Sequence, residues 1–202
     1  MSASVPPVTR VDPADVMPTL LVAFTDDPGM RWLYPDDETY ERAFPEVVLL
    51  AAGAAFDAGT VDVAEDGAAI AIWDPPGADR DPEEAGAAWT AHFQVHVDAA
   101  RLGDVFAWGE QMGRFHPTEP HWYLATIGVT PEQQGKGHGA ALLRAGLGRC
   151  DRDGLPAYLE SGNPRNRTLY ERHGFEVLDE IRIADSPPIW PMLRQPRHFD
   201  PR

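Results

Sequence analysis

A mixed α/β fold is predicted by three features of the chain. Glu65-Asp66-Gly67 separates two β-rich runs, 60–64 and 68–73, and Asp-Gly in that setting signals a hairpin whose strands pair antiparallel. Two strand-then-helix units follow, 121–129 with 137–151 and 156–161 with 164–173, and such units set their strands parallel. The length of 202 residues suits a single domain, large enough to bury roughly 70% of its unfolded surface. Hairpins combined with βα units imply a central, twisted, mostly antiparallel mixed sheet of about seven strands flanked by helices, not a uniformly parallel one.

Taken in order, Pro-Val-Thr-Arg-Val at 7–11 reads as a first strand. Asp12 or Asp15 then caps an amphipathic helix with Val16, Leu20 and Phe24 on one face. Asp26-Asp27-Pro28-Gly29 breaks that helix. The Ala/Leu/Val-rich stretch 37–57 forms a second helical region, with Phe44-Pro45 marking a kink or split and Gly59 ending it. After the hairpin, Asp74-Pro75-Pro76-Gly77 opens a polar loop. Helical pieces at 85–99 and 101–115, joined near Gly103, make a two-helix insertion over 83–116. Strand 121–129, a glycine turn and helix 137–151 come next, then strand 156–161 and helix 164–173. Strand 176–183 and a final strand 189–194, interrupted by Pro191, close the order.

Charge narrows the function classes. Lysine and arginine total 17 against 32 acidic residues, a formal net charge of −15. Nucleic-acid binding depends on cations that neutralise phosphates, so this balance argues against it. Negative clefts concentrate cationic ligands, while an acidic surface can equally serve solubility alone. The single cysteine, Cys150, falls on an apolar helical face and reads as a buried, inert thiol. The segment MSASVPPVTR lacks the apolar core of a signal peptide. No apolar run approaches the ~18 residues of a membrane span, so a cytoplasmic protein is expected.

The sole lysine, Lys136, sits in Gln134-Gly135-Lys136-Gly137-His138-Gly139, between a strand and a helix. Amides at a helix start point outward unpaired and carry about half a positive charge, and the glycines let the backbone approach an anion closely. A diphosphate can therefore be held by main-chain donors, with Lys136 as a solvent-side charge. A Walker loop needs Ser or Thr after Gly-Lys, where Gly137 stands. A dinucleotide fingerprint needs Gly-x-Gly-x-x-Gly at the first βα turn, and the spacing here is Gly-x-Gly-x-Gly. A plain tight turn is the remaining alternative.

Leu124-Ala125-Thr126-Ile127-Gly128-Val129-Thr130-Pro131 precedes this run and the apolar helix 140–150 follows it. Together they resemble the acetyl-CoA signature of the GNAT N-acetyltransferases, Gln/Arg-x-x-Gly-x-Gly/Ala, matched by Gln134, Gly137 and Gly139. Asn163-Pro164-Arg165-Asn166-Arg167-Thr168-Leu169-Tyr170-Glu171-Arg172-His173-Gly174-Phe175 resembles the family's second signature, in which an Asn precedes a Tyr and Gly-Phe begins the next strand. The resemblance runs from about residue 8 to 194 and is sharpest over 120–180. Stretches 67–73, 122–139, 156–160, 164–166, 170–175 and 190–192 are similar to the puromycin N-acetyltransferase group, but Asp27 stands where that group carries Tyr.

The resemblance implies acetyl-CoA as co-substrate, no metal, and direct transfer to an amine. It implies that Ile127, Gly128 and Val129 lie along the pantetheine arm, with an amide near Val129 polarising the thioester carbonyl. It implies that amides of Gln134, Gly135, Lys136, Gly137, His138, Gly139 and Ala140 hold the diphosphate. Asn163 and Asn166 would contact pantetheine, and Arg165 and Arg167 the 3′-phosphate, although Asn163-Pro164 also makes an ordinary helix start. Tyr170 is the expected proton donor to the sulfur. Glu160 is the favoured base, with a structural hydrogen bond on the Tyr158 face of its strand as the competing role. Asp26, Asp27, Tyr34 and His121 stand in reserve. His92-Phe93-Gln94-Val95-His96 sets two imidazoles one helical turn apart but lacks the glutamate of His-Glu-x-x-His, so no metal is expected. The expected acceptor is a small-molecule amine, cationic in keeping with the charge, with residues 83–116 capping its pocket. Acetylation of protein N-termini and a non-catalytic acyl-CoA sensor are the alternatives, in a monomer or homodimer.

Overall fold

The computed structural model describes residues 11–78 and 81–197. The strand expected at 7–11 lies outside the described residues except for Val11, which has no regular structure. Helix α1 (Pro13–Ala23) starts at Asp12, whose carboxylate accepts from the Ala14 amide. The expected break at Asp26–Gly29 is present, and the chain restarts a helix there. Asp27 Oδ1 accepts from the Gly29 and Met30 amides, Pro28 takes the first helical position, and a short α2 (Pro28–Leu33) follows.

Helix α3 (Asp37–Ala58) bends at Ala52 (φ −137°, ψ 24°), not at Phe44-Pro45. The cause is long-range: the Ala55 amide donates to Asp74 Oδ1 at 2.9 Å instead of to the preceding turn, which interrupts the helical ladder there. Gly59 closes the helix with φ 68°.

Strands β1 (Val61–Ala64) and β2 (Ala69–Asp74) form the expected hairpin. Ala64 pairs with Ala69, so the connection is a four-residue loop and not a two-residue Asp-Gly turn. Glu65, Asp66 and Gly67 all adopt positive φ. Helices α4 (Pro82–His96) and α5 (Leu102–Phe115) form the insertion ahead of β3 (Trp122–Val129). Then come α6 (His138–Asp153), β4 (Ala157–Ser161), α7 (Pro164–Arg172), β5 (Glu176–Val177) and β6 (Trp190–Arg194).

The sheet has six strands in the order β1-β2-β3-β4-β6-β5, against the seven or so expected. The strand anticipated at 176–183 contracts to Glu176–Val177 and one isolated bridge, Ile181 with Ile189. Pro191 supplies the reason. Its carbonyl accepts from the Leu178 amide, but it has no N–H to return that bond, so the ladder stops.

Strand β2 is buried on both faces and organises two cores. Ile70 and Ile72 pack with Leu20, Phe44 and Trp108 on one side. Ala69, Ala71 and Trp73 pack with Leu142, Leu143 and Leu147 of α6 on the other. Helix α6 approaches β2 so closely that a Cβ on Gly146 would stand 2.2 Å from Trp73. Two paired charges fix its rotation: Arg149 donates twice to buried Asp62 of β1, and Arg194 of β6 donates twice to Asp151. Among the described residues, no helix is long and apolar enough to cross a membrane.

This contact yields a paired prediction. Gly146→Ala should destabilise by about 1–3 kcal/mol through overpacking against Trp73, lowering Tm by roughly 2–10 °C in thermal unfolding. Gly148→Ala in the same helix meets only Arg152 at 3.7 Å and should leave Tm unchanged or raise it, because alanine favours helix by about 1 kcal/mol.

Candidate active site

The site begins where two strands part. Parallel β3 and β4 pair only through Trp122 with Ala157 and Tyr123 with Tyr158. On its other edge, β3 matches Leu124 to Trp73 and Thr126 to Ile72, so Ala125 is an extra residue, a β-bulge. The bulge adds twist one residue after the last β3–β4 pair, and the two strands separate. The Thr130 amide donates to Ala68. Backbone alternation therefore turns the amides and carbonyls of Val129 and Ile127 away from β2 and toward the gap.

A cavity of about 440 Å³ fills this gap. Ile127, Gly128 and Val129 of β3 form one wall, and Asn166 and Tyr170 of α7 another. Gln134, Gly135, Gly137, His138, Gly139 and Ala140 form its floor at the start of α6. Gly135 and Gly137 have φ of 74° and 92°, which disfavours any side chain there, and an added Cβ on either would meet nothing within 4 Å. Gly137 is the N-cap and offers no side-chain acceptor, so the first-turn amides of His138, Gly139 and Ala140 remain as donors. Gly128 is required for a different reason: a Cβ there would stand 2.9 Å from Ala23 of α1.

Several expected residues lie outside this lining. Lys136 is exposed and donates to Gln133 Oε1 at 2.9 Å. Asn163 caps α7, its Oδ1 accepting from the Arg165 amide at 3.0 Å. Arg167 pairs with Glu171 and stands over the Trp190 ring. His138 contributes its amide, while its buried imidazole rests 3.5 Å from Glu65 of the β1–β2 loop. The Gln134 side chain donates to the Val129 carbonyl at 3.1 Å, leaving that residue's amide directed at the gap. Arg165 does line the cavity, and so does Arg172, which sequence reasoning missed because an exposed arginine in a helix's last turn carries no distinguishing signal.

Tyr170 is buried at the cavity wall. Burial, and then the charge of Asp27, push its phenol above the ordinary tyrosine range. Asp27 lines the same cavity, and loss of solvent raises its carboxyl despite the Met30 and Gly29 amides. Of the other reserve residues, Asp26 lies outside the cavity lining, and Tyr34 is buried with its hydroxyl 2.7 Å from His92 Nε2.

Glu160 stands on β4 two residues beyond the last pairing with β3, level with the bulge. It lines neither cavity, but its carboxylate is 3.7 Å from His116 Nδ1 and only 13% exposed. Burial, followed by the Glu160 charge, pushes the hydroxyls of Tyr123 and Tyr158 upward, keeping both protonated beside it. His116 Nε2 lies 3.2 Å from His121 Nε2. His116, His121 and Tyr123 also line a second cavity, of about 670 Å³, walled by Leu50 and Ala51 of α3 and Trp89 of α4. Through His116 and Tyr123, Glu160 stands behind the lining of the second cavity, on the strand that parts from β3.

A parallel strand pair that splits beside a helix start rich in free amides suits a linear ligand that carries phosphate. The chain belongs to the Acetyltransferase (GNAT) family, whose sequence profile matches residues 71–175, half of its length; this family uses acetyl-CoA as co-substrate. An uncharacterized N-acetyltransferase of Schizosaccharomyces pombe is 28% identical over 88% of this chain and 77% of its own. A mycothiol acetyltransferase of Streptomyces griseus is 35% identical over 51% of this chain, which spans only 28% of that relative. A Corynebacterium glutamicum crystal structure, described as a histone acetyltransferase and related acetyltransferase, superposes with a TM-score of 0.68 at 28% identity, covering 99% of both chains.

If main-chain donors hold the diphosphate, the two neighbouring positions should respond unequally. Gly137→Val, which forces a branched residue to positive φ and fills the floor, should weaken acetyl-CoA binding at least ~10-fold. Lys136→Ala should weaken it no more than about threefold, in line with an exposed charge. Isothermal titration calorimetry on both variants, with Tm as the folding control, measures the difference.

Proposed function

We propose that this protein is an acetyl-CoA-dependent N-acetyltransferase that acetylates the amino group of a small, cationic molecule by direct transfer in a ternary complex. The observation that supports this reading is Tyr170 on the wall of the first cavity, with Glu160 3.7 Å from His116 of the second. The acyl donor occupies the first cavity, and the acceptor enters through the second, roofed by α4 and α5. Stretches similar to the puromycin N-acetyltransferase group, the mycothiol acetyltransferase relative and the net charge of −15 support a small amine.

In this reading Glu160 takes the proton released when the amine nitrogen attacks the thioester carbon and becomes a neutral carboxyl, 3.7 Å from His116 Nδ1. The gap-facing Val129 amide stabilises the oxyanion, a role worth about 3–4 kcal/mol where comparable donors have been removed. As the C–S bond breaks, Tyr170 donates a hydrogen bond to the departing thiolate. An ordinary phenol of pKa about 10 is already a weaker acid than a thiol of about 8.5, and Tyr170 is pushed higher still. Full proton transfer before C–S cleavage is therefore uphill, and stabilisation of the thiolate by a held proton is the role that fits.

Release of free thiol from acetyl-CoA, followed across a panel of amines and N-terminal peptides, tests the reading. Tyr170→Phe should lower kcat by about 10²-fold or more, with the KM for acetyl-CoA within about twofold of the parent. Glu160→Gln should lower kcat comparably, with acetyl-CoA binding kept. Cofactor binding without amine-dependent release would leave only an acyl-CoA sensor, and turnover confined to peptides would move the acceptor to protein N-termini.

A further inference from the structure

The His92–His96 pair, one turn apart on α4, gains a third partner in the folded chain. Glu46 of α3, separated from His92 by 46 residues, turns its carboxylate between the two imidazoles. Its Oε2 lies 2.9 Å from His92 Nδ1 and 3.2 Å from His96 Nε2. The three ligand-type atoms all fall within 4.8 Å of one another. In a tetrahedral site with bonds of about 2.0–2.1 Å, neighbouring ligand atoms stand roughly 3.4 Å apart; the two Glu46 gaps are within a few tenths of an ångström of that, and the two imidazole nitrogens, at most 4.8 Å apart, would be drawn together by the ion. We propose that Glu46, His92 and His96 bind a divalent first-row transition ion, of which zinc is the representative, and that this ion pins α4 to α3.

Convergence distinguishes this cluster from an ordinary hydrogen-bond network. Two imidazoles aim at one carboxylate oxygen although Glu46 has two, and the rings are only 4.7 Å apart. His92 is almost fully buried, and its remaining nitrogen, Nε2, is held 2.7 Å from the hydroxyl of buried Tyr34. A metal-bound imidazole needs such an outer partner to fix its tautomer. Without an ion, His92 Nδ1–H donates to Glu46 and Nε2 accepts from Tyr34. With an ion on Nδ1, the proton sits on Nε2 and the Tyr34 oxygen accepts it, so the His92 contact to Tyr34 is kept in both states. Trp89 and Phe93 set their rings edge-on to His92 and close the apolar side. The Glu46 side chain is 56% exposed, leaving the opposite side open to water ligands. Two neutral nitrogens and one carboxylate suit zinc, cobalt or nickel over calcium or magnesium, which require mostly oxygen.

The location gives the ion a consequence. Glu46 lies one turn before Leu50, and His92 one turn after Trp89, and Leu50 and Trp89 wall the second cavity. Fixing α4 to α3 would set the width of that compartment, whatever molecule it admits.

Tag-free protein stripped with chelator and titrated with Zn²⁺ by calorimetry should bind one ion. Zn²⁺ at about one hundred times its dissociation constant should raise Tm by ~5 °C or more, whereas Mg²⁺ should not. Co²⁺ should develop visible d–d absorption with the same stoichiometry. Glu46→Gln and His96→Gln should each abolish the absorption while retaining the circular dichroism of the parent, and Tyr34→Phe should weaken Zn²⁺ about 10-fold or more. His116→Ala, in the other histidine cluster, should leave binding intact. Absence of stoichiometric binding, its survival in both Glu46→Gln and His96→Gln, or its loss in His116→Ala would overturn the assignment.

Discussion

Separation of β3 from β4 after two paired residues is the constraint on which the site depends. A parallel pair that stayed bonded would bury its own main-chain groups and leave no channel. Here the extra residue Ala125 adds local twist, and the Ile127 backbone groups and the Val129 amide are left facing a gap. Unpaired backbone groups need partners, and a linear, amide-containing ligand arm can supply them where a neighbouring strand otherwise would. The same divergence brings Glu160 level with the opening, because β4 continues past Tyr158 without a partner on that edge.

Holding the gap open falls to the elements packed above and below it. Helix α6 aims its free first-turn amides at the cavity, and its alignment is set by contact with Trp73 at Gly146 and by the two bidentate arginine–aspartate pairs. Buried ion pairs contribute little net stability, but removing one partner is costly, so they are effective at specifying a single orientation. On the other face α1 lies against Gly128 so closely that no side chain fits between them. Asp27, at the junction of α1 and α2, then contributes both a helix cap and a negative charge inside the cavity. That charge helps keep the Tyr170 phenol protonated.

Most elements were legible from local chemistry. Asp12 before an apolar period, Gly59 after a helix, and glycines at 135 and 137 all specify conformations through their own local preferences. The errors came from long-range causes. Asp74 diverts the Ala55 amide and moves the bend of α3 away from Pro45. Pro191 cuts short a strand thirteen residues upstream by lacking the donor that Leu178 would need.

Glycine spacing, strand–helix order and the Asn163-to-Tyr170 interval were enough to specify the family and the acyl donor it uses, because these signatures depend on backbone geometry over a few residues. They could not place Glu160 against His116 or carry Glu46 to His92 and His96. Those meetings join side chains on separate elements, and no local pattern encodes the distance between them. Only the closure of two cores around β2, with the bulge at Ala125 bending its neighbour, decided which charges share a compartment.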